Sequence, residues 1–171
     1  LNDMGHFNKS QDSARMLLKL PLKKKIILIF GRLHTKNTFF AEEVFNRIRI
    51  NHADAILLMA GVFPLFHYNK LNLLYYRLNN KCLNKFRNNK IQILKRFSQF
   101  ETYLLFVSSN VIFLPHKSGL TSGIIPLSAT LGKPFVYPNI GVFEEQANDC
   151  YAVQYECCNI KSAHLALENL L

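Results

Sequence analysis

Short unbroken apolar runs, alternating with segments of helical period, constrain this chain more than anything else in it. Residues 24–30 (KKIILIF) are apolar from Ile26 onward and rich in β-branched side chains. That is the mark of a strand buried on both faces, because a half-exposed strand alternates apolar with polar residues. The run is expected to stop at Gly31. Residues 55–60 read as a second buried strand ending at Gly61, and residues 91–94 and 111–114 as a third and fourth. Between the first two, Phe40, Val44, Phe45 and Ile48 recur at helical spacing, which predicts a helix over 38–50 with Thr38 as N-cap and Glu42 and Glu43 in its early turns. A second helical segment is expected around 99–107. Strand, helix, strand in repetition predicts right-handed βαβ units in one parallel sheet, an α/β Rossmann-like fold flanked by helices.

Past Leu114 the sequence predicts a polar loop (115–121), a helix over about 122–131, short strands at 134–137 and 151–154, and a closing helix from about Lys161. No internal repeat is seen. At 171 residues, 49% hydrophobic and 19% charged, the chain suits one globular α/β domain, since such domains run to about 100–200 residues. Residues 1–22 read as a linker or entry helix and 23–171 as the domain. Leu1 in place of Met suggests a piece of something longer. No apolar run approaches the roughly 20 residues of a spanning helix, and no charged-then-apolar signal pattern opens the chain. A soluble, cytoplasmic protein is expected.

A net charge of +10 and a pI near 9.6 favour anionic partners: nucleotide phosphates, nucleic acid or an acidic membrane face. Cys82, Cys150, Cys157 and Cys158 form no CxxC pair, and no histidine lies at zinc-ligand spacing, so reduced core thiols are expected and no metal. Neither a GxSxG nor a cationic setting for Cys157-Cys158 supports hydrolase or redox chemistry.

In an open parallel sheet, ligands bind beyond the carboxyl ends of the strands, where loops feed helix N-termini. Two loops qualify. Ser118-Gly119-Leu120-Thr121-Ser122-Gly123 follows a buried strand and opens a helix, which would aim backbone N–H groups at a phosphate; an ordinary capped loop reads equally well. Pro126 falls in the first helical turn, where its missing N–H costs least. Residues 31–37 (GRLHTKN) place Arg32 and Lys36 at the end of the first strand, positioned either to grip a diphosphate or to stand as solvated cations.

Leu114 to Tyr137, LPHKSGLTSGIIPLSATLGKPFVY, resembles the donor-binding stretch of the retaining GT-B glycosyltransferases of the group 1 or family 4 type: an apolar strand ending in LP, a Gly-bearing loop, a helix, then GKP and a strand. IILIFGRLHTKN is similar to that family's first strand with its GR…K loop, and Asn139 to Glu144 (NIGVFE) to its later Gly-bearing loop. The resemblance spans about 24–171 and implies one half of a GT-B fold, the C-terminal half that binds a nucleotide-diphosphate sugar. It implies that Arg32 and Lys36 hold the donor's phosphates and that 118–123 wraps sugar and diphosphate. The family's paired glutamates, eight residues apart, would fall here on Gly119 and Leu127. The GR-to-Lys spacing is one residue short, and only one Gly stands near 141.

His116, directly after the fourth strand, is a further candidate contact to the donor, and Glu144 and Glu145 are candidates for a sugar or ribose hydroxyl; solvated imidazole and helix-start carboxylates are the plainer readings. Residues 62–100 hold no acid but eight bases, with Arg77, Lys81 and Lys85 at helical spacing opposite an apolar stripe. That face fits solvent or, through about 70–96, peripheral contact with the inner membrane face. No recognised nucleic-acid motif accompanies it. The resulting expectation is a glycosyltransferase donor domain serving a polysaccharide or lipid-linked acceptor. An N-terminal acceptor domain outside this chain completes it, so no residue here is catalytic and no cofactor or metal is needed. The alternatives are a non-catalytic nucleotide- or anion-binding module, favoured by the missing glutamates, and a basic membrane- or nucleic-acid-interaction domain.

Overall fold

The computed structural model describes residues 7–62, 89–148 and 150–171. Among these, α1 (Gln11–Leu17) precedes β1 (Lys25–Arg32), α2 (Thr35–Asn51) and β2 (Ala55–Val62). Then come β3 (Lys90–Leu94), α3 (Gln99–Ser108), β4 (Val111–Phe113), α4 (Ile124–Thr130), β5 (Phe135–Pro138), α5 (Phe143–Gln146), β6 (Ala152–Tyr155) and α6 (Ile160–Glu168). The six strands form one sheet in the order β3-β2-β1-β4-β5-β6, every neighbouring pair parallel. The chain winds outward from β1 to β3, then returns to lay β4 on the other side of β1. The strand order therefore reverses between β1 and β4, and a crevice opens there at the carboxyl edge.

Burial on both faces explains the unbroken apolar runs. Successive side chains of β1 alternate sides: Ile26 and Leu28 enter one core with Leu105, Phe106, Ile125 and Phe143. Ile27 and Ile29 enter the other, with Val44, Phe45, Ile48 and Leu167. Hence α2 and α6 cover one face, and α3, α4 and α5 the opposite one.

Both of the first two strands run two residues further than their glycines suggest. Gly31 pairs with Gly61 and Arg32 with Val62. A Cβ on Gly61 would stand 1.8 Å from the Gly31 carbonyl oxygen, so glycine here permits close approach of two paired backbones rather than ending either strand. The start of α2 also moves. Its N-cap is His34, which makes no side-chain capping bond. Thr38 lies inside the helix and donates from Oγ1 to Thr35 O at 2.9 Å. Consequently Lys36 belongs to the first turn, not to a loop, and no acid lies in that turn.

Helix α3 opens with a capping box between Ser98 and Glu101. Cations satisfy its other end: Lys133 Nζ, from the GKP turn, donates to Val107 O at 2.8 Å and Ser109 O at 3.0 Å, a favourable place for positive charge. Arg15, 3% exposed, donates from Nε to Ser108 O at 2.9 Å and from Nη2 to Asn110 Oδ1 at 2.8 Å, so α1 is pinned to the α3–β4 turn. No helix among the described residues is long and apolar enough to cross a membrane. The predicted basic stripe of Arg77, Lys81 and Lys85, with Cys82, lies outside the described residues. The thiols that are described do not sit in the core: Cys150 and Cys157 are half-buried and Cys158 is exposed. Nor do the described residues gather three metal-binding side chains at any point.

Candidate functional site

Two candidate loops meet in the crevice. Gly31, at the end of β1, faces the first residue of α4: a Cβ there would touch Ile124 Cδ1 at 3.8 Å. Arg32 at the end of β1 and Lys36 in the first turn of α2 are both exposed. Among the described residues neither pairs with a carboxylate. The uncapped start of α2 lies between them and adds the partial positive charge of its own first turn.

From the β4 side comes the 118–123 loop, with Ser118, Gly119, Leu120, Thr121 and Gly123 all exposed. The amides of Gly119, Leu120, Thr121 and Gly123 donate to no acceptor among the described residues. Ser122 differs. It is buried, its amide donates to Gln146 Oε1 at 3.0 Å, and its hydroxyl accepts from Ile124 N at 3.3 Å. Its polar atoms are thus occupied in starting α4, and the structure does not bring it to the crevice. The N-cap position itself is Gly123, and α4 is seven residues long.

The β5–α5 loop holds the 118–123 loop in shape. Val142 N donates to Leu120 O at 3.0 Å. Gly141, at φ +54, comes so close that a Cβ there would lie 2.6 Å from both Gly119 O and Leu120 O. Underneath, the buried Phe143 supports Gly119. On the other flank Tyr155, 2% exposed, donates from Oη to Leu114 O at 2.9 Å and stacks on Phe40 at 6.0 Å between centroids. Burial pushes its phenol well above the usual tyrosine range. Cys157 N donates to Asn139 Oδ1 at 2.7 Å, and the Cys157 thiol lies 3.9 Å from His116 O and 3.7 Å from Lys117 O. Sequence reasoning missed this support. Gln146 and Tyr155 carry no motif, Asn139 stands out only as the start of the NIGVFE stretch, and only the fold brings the three beneath the loop.

His116 sits at the base of the crevice, half-buried and edge-on to Phe143 at 5.7 Å between ring centroids. Burial, and secondarily the nearby His34, hold its pKa below the ordinary histidine range. Glu144 is exposed in the first turn of α5 and accepts from Gln154 Nε2 at 3.2 Å, the geometry of a helix-start carboxylate that still faces solvent. Glu145 beside it is exposed as well.

The sequence matches no family model, and no curated protein matches it. Solved structures do share its fold. The C-terminal domain of a group 1 glycosyl transferase family protein from Francisella tularensis superposes with a TM-score of 0.70 at 16% identity, over 98% of this chain and 86% of that one. An Anabaena protein solved with UDP and glucose gives 0.73 at 12% identity, over 98% of this chain and 44% of that one. Sucrose-phosphate synthase from Thermosynechococcus elongatus gives 0.71 at 13% identity, over 98% of this chain and 41% of that one. The chain thus spans less than half the length of the last two. Its fold is the parallel α/β fold of one half of a GT-B glycosyltransferase, the fold that the C-terminal domain of the Francisella protein also has.

Proposed function

We propose that this chain is the donor-binding half of a glycosyltransferase, taking a nucleotide-diphosphate sugar for transfer to a polysaccharide or lipid-linked acceptor held by an N-terminal domain. One observation carries the reading. At the carboxyl edge where the strand order reverses, the end of β1 with exposed Arg32, the following first turn of α2 with exposed Lys36, and the 118–123 loop, four of whose amides find no acceptor among the described residues, flank the Gly31–Ile124 contact. Such a place offers a diphosphate two cations and several fixed N–H donors without any metal. Thr121 and Ser118 border the same opening, Leu120 offers an apolar surface, and His116 and Glu144 lie within the set that would meet the sugar. The Anabaena neighbour solved with UDP and glucose, and a starch synthase neighbour bound to ADP, support this choice of ligand.

Calorimetric titration with UDP, GDP and ADP tests it. Arg32→Ala is expected to weaken the preferred nucleotide by about 1.5–3 kcal/mol, the worth of a charge-assisted bond. Equal affinity in both proteins removes Arg32 from the site. Binding without transfer by the protein joined to an acceptor domain selects the non-catalytic module instead.

A second reading concerns the surface. The acid-free run of residues 62–100 supports peripheral contact with an anionic leaflet, each cation contributing about 1 kcal/mol. Sedimentation with acidic vesicles at low and high salt checks it, and indifference at low salt leaves a solvated face.

A further inference from the structure

His116 combines a sealed inner edge with an open outer one. Its Nδ1 is buried and has no hydrogen-bond partner. Nε2 makes no hydrogen bond among the described residues either, yet unlike Nδ1 it is not one of the buried atoms without a partner. A neutral imidazole carries one proton, and the two nitrogens compete for it. On Nδ1 that proton would be a buried donor with no acceptor, the rarest kind of unsatisfied group in folded proteins. On Nε2 it is not confined in that way.

A second proton is opposed first by burial and then by His34, at the N-cap of α2, and no neighbouring group among the described residues is placed to favour it. Lys117, the next residue, is a cation that extends over Phe40. Phe143, packed on the ring from α5, is uncharged. The Cys157 thiol beneath the loop is held above its ordinary pKa by burial and by Cys158 and remains protonated. The nearest carboxylate on α5, Glu144, is exposed and turned to Gln154.

We infer that His116 is held as the neutral Nε2–H tautomer and donates from Nε2 to an oxygen of the donor's sugar-diphosphate portion. This rests on the donor-binding reading, but the tautomer can be measured without any ligand. As a neutral donor, His116 adds direction to the site without adding charge, and it keeps that role to a lower pH than a solvent-exposed histidine would.

Long-range proton–nitrogen correlation spectra of the histidine-labelled chain, recorded at pH 7 and pH 8, test the tautomer. The expected result is a protonated Nε2 and a bare Nδ1 for His116 throughout. A proton on Nδ1, or an imidazolium at pH 7, overturns the inference. Calorimetry with UDP and with UDP-glucose tests the bond. His116→Gln places an amide nitrogen near the Nε2 position and is expected to retain most of the affinity. His116→Asn reaches only the Nδ1 position and is expected to lose roughly tenfold, the worth of one hydrogen bond. A loss already present with UDP puts the acceptor on the diphosphate, and a loss seen only with UDP-glucose puts it on the sugar. If the wild-type chain binds neither ligand, the donor-binding reading fails while the spectra still decide the tautomer. If it binds and both variants match it, the proposed bond is refuted.

Discussion

Gly141→Ala and Gly132→Ala form a matched pair that separates backbone strain from a steric wedge. Both glycines lie in the left-handed region, at φ +54 and φ +59 respectively. Each alanine therefore incurs the left-handed penalty of about 1–2 kcal/mol, partly offset by the reduced freedom of the unfolded chain. At Gly132 nothing else follows, because no atom lies within 4 Å of the added Cβ. At Gly141 the same atom would be 2.6 Å from Gly119 O and Leu120 O and 2.9 Å from Leu120 Cα, where ordinary contact begins at 3.4 Å. The obstacles are backbone atoms, so the two loops must separate by several tenths of an ångström. The Val142 N to Leu120 O bond at 3.0 Å cannot survive that without bending, and its loss adds about 1–3 kcal/mol.

Urea denaturation is thus expected to give about 1 kcal/mol for Gly132→Ala and about 3 kcal/mol for Gly141→Ala. UDP affinity should fall only in the latter, since its wedge displaces the 118–120 backbone. Equal destabilisation by the two substitutions would refute the reasoning, because the wedge would then cost nothing.

Gly123→Val is expected to leave the fold intact, as an added Cβ meets nothing within 4 Å, yet to abolish nucleotide binding by obstructing the open amides. A folded variant that still binds in calorimetry removes the loop backbone from the site. Tyr155→Phe strips the Leu114 carbonyl of its buried donor and should cost about 1–3 kcal/mol by urea titration. The depressed His116 pKa gives stability a pH dependence. As pH falls through the unfolded-state value near 6.5, the unfolded chain takes up a proton that the folded ring refuses, so stability drops toward the lower folded pKa. His116→Gln should therefore lose less of its urea midpoint between pH 7.5 and 5.5 than the wild type does.

The sheet was legible in the sequence because doubly buried strands leave no polar positions to confuse the pattern. Residues 26–29 and 55–60 read as strands for the same reason that they are buried. Their ends were not legible. Gly31 and Gly61 look like breakers one at a time, and only their register opposite each other shows that they let two backbones meet. Thr38 looks like a helix cap by residue type, whereas the real start at Thr35 has no side-chain cap and so leaves no trace. The candidate site shows the same division. Exposed Arg32 and the 118–123 loop could be found from strand ends and glycines, while Gln146, Asn139 and Tyr155 act through contacts distant in sequence.

The two positions where the resembling family carries glutamates are, in this fold, poorly suited to a carboxylate. Gly119 has φ +153, a conformation that a glutamate adopts only under strain, and its carbonyl is one of the two against which Gly141 closes. Leu127 is 7% exposed and packs in the core with Ile125, Phe135 and Phe143. A carboxylate there would leave water for an apolar setting with no cation among those neighbours. Conformation at the first position and burial at the second therefore disfavour a carboxylate, which under the proposed function would leave the loop amides and Arg32 to meet the donor's diphosphate. Leu127→Glu should consequently behave as a core lesion rather than a restored contact. The lost leucine alone forfeits about 1.5–3 kcal/mol, and burying the carboxyl group adds several more whether it stays charged or takes up a proton. For a domain whose total stability is about 5–15 kcal/mol, circular dichroism should show the variant largely unfolded or markedly less stable in urea. A Leu127→Glu protein that keeps wild-type stability and binds a nucleotide sugar more tightly would show that the loop and α4 accept the glutamate-bearing arrangement after all.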